Sequence, residues 1–287
     1  MHYHEFPPPV YLSHHIESYW QLSYAPDEQA NQAEWLLPDC TFNIIFAAEP
    51  FWVKTALKKQ WTRVEKGAMF FGQISSSINL LAQKPLNIFG VRFKPFAFAN
   101  IIKSPIHLLN DQFVGLDELF SLDNNRKSSI EQIIRTDSFD LKIEPVNDLM
   151  LFLLQDAKRI DEKLRAQLNY ILERKGAIQI KSLFSEFGVS KVTLRKHFIE
   201  KVGLTPKKVS RIWRMNYFLH LRDKIAGENL TSICLMAGFY DQAHFIKEFK
   251  TLFGTTPRRF FKQESYVLRA AQEINLRRFT NQYDPRV

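Results

Sequence analysis

Cysteine is nearly absent: Cys40 and Cys234 are the only two in 287 residues, one in each half of the chain. Two thiols so placed give no disulfide framework and no cysteine-based metal motif, and they fit a reducing compartment. No run approaches the ~18 consecutive apolar residues that cross a bilayer. The opening stretch MHYHEFPPP has neither the basic nor the apolar region of a leader peptide. A cytoplasmic location with no membrane partner is therefore expected. The second half of the chain is also short of acid: residues 166–287 hold 22 Lys/Arg against 10 Asp/Glu, whereas residues 1–165 hold 17 against 20. The net charge of +9 thus resides in one half, as a solvated basic surface or a phosphate-binding face. The length allows two domains of ordinary size, each able to bury its own core.

The basic half carries the strongest pattern, in Leu230 to Pro257. Leu230, Ile233, Cys234 and Ala237 share one face of a short helix. Gly238 supplies the positive φ that ends it, and Asp241 can cap the next. Phe245, Phe249 and Leu252 make the apolar stripe of that second helix, Gly254 stops it, and Thr256-Pro257 starts another. The same grammar occurs in Leu183 to Pro206. Ser190, Leu194, Phe198, Gly203 and Pro206 recur as Asp241, Phe245, Phe249, Gly254 and Pro257 at an offset of 51 residues. Upstream, Gly188 pairs with Gly238 at one residue less, so the second turn is one residue longer. Two tandem helix-turn-helix units are expected.

With GFYDQAHFIKEFKTLFGTTP as its second half, this pair resembles the DNA-binding domain of the AraC/XylS family of bacterial transcription regulators. The resemblance implies a sequence-specific regulator of transcription and not an enzyme, with double-stranded DNA as partner and no cofactor. A small-molecule effector, a second copy of the chain as homodimer, and RNA polymerase are the further partners it suggests. Pro206 to about Asp223 reads as one long helix with Val209, Ile212, Trp213 and Leu219 inward. Such a strut, ~27 Å long, can hold two recognition helices near one DNA turn, ~34 Å, apart. A half-site that is not itself palindromic follows. With Leu194 and Phe198 facing the core, Lys191, Val192, Arg195 and Lys196 are base-edge candidates in the first unit. Gln242, His244, Ile246 and Lys247 are their counterparts in the second. Lys207, Lys208, Arg258 and Arg259 follow the two N1 prolines, at helix N-termini that favour phosphate, and are expected on the DNA backbone.

The fold class expected is α+β in two domains: a mostly β, barrel-like or sandwich N-terminal domain and an all-α tandem helix-turn-helix domain. The boundaries read as 1–121 for the β-rich regulatory domain, 122–158 for a helical linker with a possible dimer role, 159–265 for the DNA-binding domain and 266–287 for a basic tail. Phe42, Ile44 and Phe46, and Phe89, Val91 and Phe93, alternate as strands with one face buried and one wet. LLPDCTFNIIF and FGVRFKPFAFANIIKSP are similar to the N-terminal domain of one subgroup of these regulators, with Cys40 and Phe96 where that pattern has glycine. Leu122–Ser129 reads as a polar loop, with helices after it, one of them starting past Pro145.

Other candidates are weaker. Trp20, Trp35, Trp52 and Trp61 suggest an aromatic effector pocket or ordinary core. His2, His4, His14 and His15 lack the further ligands of a metal site, so no metal is expected and a flexible N-terminus is. Two rival functions stand beside the regulator: a DNA-targeted alkyl acceptor using Cys40, and an architectural protein that binds DNA without sequence choice. The first lacks the cysteine cluster of the repair proteins in the family.

Overall fold

The computed structural model describes residues 2–25, 34–56, 60–102, 105–225 and 228–262. The 266–287 tail and the end of the expected DNA-binding segment lie outside the described residues. The N-terminal region is built of antiparallel strands and the C-terminal region of helices. The strands are β1 (His2–Phe6), β2 (Ile16–Tyr24), β3 (Glu34–Leu36), β4 (Phe42–Ala47), β5 (Phe51–Thr55), β6 (Thr62–Val64), β7 (Gly67–Phe71), β8 (Ile78–Leu81), β9 (Leu86–Phe93) and β10 (Phe113–Gly115). A six-stranded sheet runs β1-β2-β9-β4-β7-β10 and a four-stranded sheet β3-β8-β5-β6.

Helices α1 (Leu116–Leu119), α2 (Asn124–Arg135) and α3 (Phe139–Leu154) follow. Ile133, Val146, Leu149 and Met150 from α2 and α3 pack on Phe42, Ile44, Phe46, Phe89 and Val91 of the larger sheet. Its other side, with Ile45 and Ile88, packs on Phe51, Val53 and Leu80 of the smaller sheet. The central strands β4 and β9 are thus covered on both faces, where alternation alone predicts one wet face; even Gly90 and Arg92 are buried. Gly90 leaves the space that the Trp20 indole fills: a Cβ there would lie 2.0 Å from the ring.

Three local expectations change. His2–Phe6 is a paired strand and not a flexible end, because Tyr3 and Glu5 turn inward onto Arg92 while His2 and His4 stay exposed. The polar stretch Leu122–Ser129 is mostly the first half of α2, whose N-cap Asp123 accepts from the Arg126 N–H at 2.9 Å. Helix α3 begins six residues before Pro145 and tolerates that proline within it, although proline forfeits one helical N–H. The segment read as a linker, 122–158, therefore contributes two helices to the N-terminal core.

The tryptophans do not converge on one pocket. Trp20 donates to the Asn43 Oδ1 at 3.0 Å, Trp35 meets Phe260 edge-on at 5.1 Å, and Trp61 lies under the Lys54 ammonium at 4.7 Å.

Candidate nucleic-acid interface

The C-terminal half comprises α4 (Glu162–Glu173), α5 (Ile180–Phe187), α6 (Lys191–Val202), α7 (Pro206–Lys224), α8 (Leu230–Met236), α9 (Gln242–Phe253) and α10 (Pro257–Phe260). Start and stop signals act as their chemistry dictates. Ser190, Thr205, Asn229, Asp241 and Thr256 each accept a backbone N–H as N-caps. Gly188, Gly203, Gly238 and Gly254 take positive φ between +58° and +83° at the turns that a Cβ disfavours. The helices α5–α6 and α8–α9 are the two helix-turn-helix units. Leu194 and Phe198 of α6, and Phe245, Phe249 and Leu252 of α9, are buried in one core with Val209, Ile212, Trp213 and Leu219 of α7. At 19 residues, α7 spans ~28 Å.

On α6, Lys191, Val192, Arg195 and Lys196 are all exposed, Val192 at 76%. Lys191 and Arg195 have no acidic partner among the described residues, while Lys196 pairs with Glu200 at 3.8 Å. His197, on the flank, meets Asp161 at 2.8 Å. Asp161 also caps α4 by accepting from the Leu164 N–H at 2.9 Å. Burial works against the Asp161 charge, but that N–H bond and His197 outweigh it and hold the carboxyl below its ordinary range.

On α9 only part of the expected set faces outward. Gln242 and Lys247 are exposed, and Ala243, which periodicity left unremarked, is exposed between them. Ile246 is half-buried against the helical core. His244 is half-buried: its Nδ1 accepts from the Tyr240 N–H at 3.4 Å and its Nε2 lies 3.2 Å from Glu248.

Glu248 is the residue that periodicity did not single out. It is buried at 6% exposure, with Arg211 at 3.0 Å and Arg214 at 2.9 Å, both from α7. A buried carboxylate requires such partners. It locks the second reading helix to the strut, and Arg214 also lies over the Phe239 ring at 4.8 Å. A Glu on the inner flank of a helix otherwise lined with Phe was the available signal.

Among the backbone candidates, Lys207, Arg258 and Arg259 are exposed. Lys208 differs from these three. It is half-buried at the junction of the two domains, where burial and then Arg211 pull its pKa down against the opposing pull of Asp111, Cys40 and Glu248. One helical position beyond the exposed Lys207, it points along the strut's inner side.

The N-terminal domain grips the helical domain at the C-terminal ends of both α6 and α9. Asn110 donates to the Gly203 carbonyl at 2.7 Å, and the Ser77 N–H donates to the Leu252 carbonyl at 2.7 Å. At mid-strut, Asn216 donates to the Pro38 carbonyl at 2.9 Å. Cys40 is fully buried in this junction with φ 64°, the left-handed conformation for which the glycine of the subgroup pattern is suited. Phe96, at the other departure from that pattern, is buried beside it. Cys234 is buried in the helical core, and desolvation pushes its thiol up to about 12.

Comparison with known proteins fits this geometry. Residues 183–263 match a family model described as a helix-turn-helix domain, and residues 4–115 match a domain of unknown function, DUF6597. The chain is 29% identical over 91 residues to the bifunctional transcriptional activator/DNA repair enzyme Ada of Escherichia coli, covering 31% of this chain and 25% of Ada. It is 26% identical over 145 residues to the transcriptional regulator MxiE of Shigella flexneri, covering 49% of this chain and 55% of MxiE. The chain thus spans only a quarter to about half the length of these curated relatives. A solved structure of ToxT from Vibrio cholerae superposes with a TM-score of 0.47 at 11% identity, over 86% of this chain and 98% of that one. No helix among the described residues is long and apolar enough to cross a membrane.

Proposed function

We propose that this chain, whose C-terminal domain is an AraC-type helix-turn-helix domain, is a sequence-specific DNA-binding regulator of transcription. It acts in the cytoplasm by placing α6 and α9 in successive major grooves on one face of the duplex. The observation that carries this reading is the repeat itself: two units whose second helices share cap, core, glycine-stop and Thr-Pro restart positions, joined by a strut ~28 Å long, in the half of the chain with the cation excess. In the first unit Arg195 and Lys196 are the guanine-reading candidates, with Lys191 at the helix start and Val192 against a thymine methyl. In the second, Gln242 and Lys247 read bases. Lys207, Arg258 and Arg259 contact phosphates. A selection of bound sequences from random duplex, followed by affinity for the selected site and for random duplex at one salt, tests the reading. Equal affinity for both would leave only the architectural function.

Regulation enters from the N-terminal domain, which holds the C-terminal ends of both reading helices. A small-molecule effector bound in that domain would act through these contacts. Dimerisation and contact with RNA polymerase complete the reading and rest on the family resemblance alone. The alkyl-acceptor function has nothing to favour it in the geometry: Cys40 and Cys234 are both buried, and a thiol without access to a methylated base or phosphate cannot displace an alkyl group.

A further inference from the structure

Helix α6 stands as a ridge with a groove on each flank. One groove, of about 590 Å³, is lined by Lys191, Val192, Arg195, Lys196, Ile199 and Glu200 of α6, the Glu200 carboxylate being paired with Lys196 at 3.8 Å, and by His107 of the N-terminal domain. The second, of about 400 Å³, runs over Ile180, Phe184 and Pro206 with Lys181 and Lys207 at its edge, and Lys191 and Arg195 border both grooves. A helix seated in the major groove, which is ~12 Å wide, has a sugar–phosphate strand passing along each side of it. A ridge flanked by two grooves, each bordered by Lys191 and Arg195, which have no acidic partner among the described residues, and floored by apolar side chains, has the shape and charge to receive a deoxyribose–phosphate chain on either flank.

His107 stands on a 3-10 turn, Ile106–Leu109, whose Ile106 and Leu109 are buried anchors while His107 and Leu108 face outward. The turn is fixed to the same helix whose flank it faces. Asn110, directly after it, donates to the Gly203 carbonyl at the end of α6, and a Cβ at Gly203 would meet the Asn110 Oδ1 at 2.6 Å. The wall of the groove therefore moves with the ridge.

We infer that the N-terminal domain is part of the DNA-binding surface, with His107 forming the outer wall of the groove beside α6 and donating an imidazole N–H to a phosphate of the strand lying there. This rests on α6 being a reading helix. It means that the two domains stay docked on DNA, and that a shift of the 3-10 turn alters a DNA contact directly, without release of the helical domain.

The test uses the full chain, the selected site and random duplex over a range of salt. His107→Lys should tighten both complexes by a similar factor and steepen the salt dependence by about one. His107→Glu should weaken both about tenfold. His107 is exposed, so neither change disturbs a core. Because both native cysteines are buried, a photoactivatable aryl azide on the thiol of a His107→Cys variant should crosslink to DNA from a single site. No crosslink, with unchanged affinity and salt slope in His107→Lys and His107→Glu while Arg195→Ala still weakens binding, would overturn the inference and leave the reading of α6 intact. Unchanged binding in Arg195→Ala as well would overturn both.

Discussion

In the second helix-turn-helix unit α9 is held from beneath, by a buried carboxylate set between two arginines of the strut and by edge-on and tilted ring contacts among Phe245, Phe249, Phe253 and Phe260. In the first unit α6 is held from its flanks: a half-exposed pair between His197 and Asp161 on one side, and the N-terminal domain's 3-10 turn on the other. The units share the cap, stop and core positions of α6 and α9, and among the described residues His107 of the N-terminal domain lines the groove beside the exposed face of α6. One sequence pattern thus supports two modes of positioning. Both helices are tied to the N-terminal domain at their C-terminal ends, α6 through Asn110 and α9 through Ser77, and α9 is in addition locked within its own domain by Glu248.

The shared part of the comparison predicts the largest effect. Phe198→Ala and Phe249→Ala, matched positions that are both fully buried, should each cost ~3–5 kcal/mol in denaturant unfolding. A loss below ~1 kcal/mol in either would mean that the two cores are not equivalent.

The difference in anchoring predicts the next. Glu248→Ala should cost ~3 kcal/mol, since it leaves Arg211 and Arg214 facing each other without their shared carboxylate. DNA binding through the second half of the site should weaken with it. If the variant unfolds like the parent chain, the buried charges do not hold α9.

On DNA, Arg195→Ala should cost ~1–3 kcal/mol on the selected site and little on random duplex. Lys207→Ala should weaken both alike and lower the salt slope by about one. Affinities for single-base variants of the site separate the two, and a reversed pattern would move the reading face of α6 around its axis.

The smallest effect concerns the flank pair. Asp161→Asn keeps a side-chain cap for α4 and removes only the charge. Because the folded carboxyl is held below its unfolded range, its contribution is present at neutral pH and is lost as the pH falls through the folded pKa. The variant should therefore be less stable by under ~1 kcal/mol at pH 7, with the gap closing below about pH 4. A gap that persists undiminished at pH 3 would show that the carboxylate charge is not its source.

The helical half was legible because its signals are local. A cap such as Asp241 bonds a residue three positions on, a stop such as Gly254 answers to its own φ, and an apolar stripe repeats every three or four residues. The N-terminal half was legible only as strands. Which faces of β4 and β9 are wet depends on α2 and α3, more than thirty residues downstream of β9. The strand at His2–Phe6 exists because Glu5 meets Arg92 across the sheet. Among the site residues, exposure of Lys191, Val192, Arg195 and Lys196 followed from helical periodicity. The pairing of His244 depended on Glu248 being buried against α7, and Lys208 is half-buried where Asp111 of the other domain opposes the downward pull of burial on its pKa.

By itself, the sequence determined the two helix-turn-helix units, their caps and stops, the strut between them and the half of the chain that carries the cations, since each of these depends on interactions within one or two helical turns or on composition. Only the tertiary structure decided that residues 124–154 complete the N-terminal core, that Glu248 locks the second reading helix, and that His107 stands beside the first. Those facts depend on pairs of residues far apart in the chain, brought together by the burial of apolar surface between the sheets, the helices and the two domains, and no periodicity within a single segment encodes them.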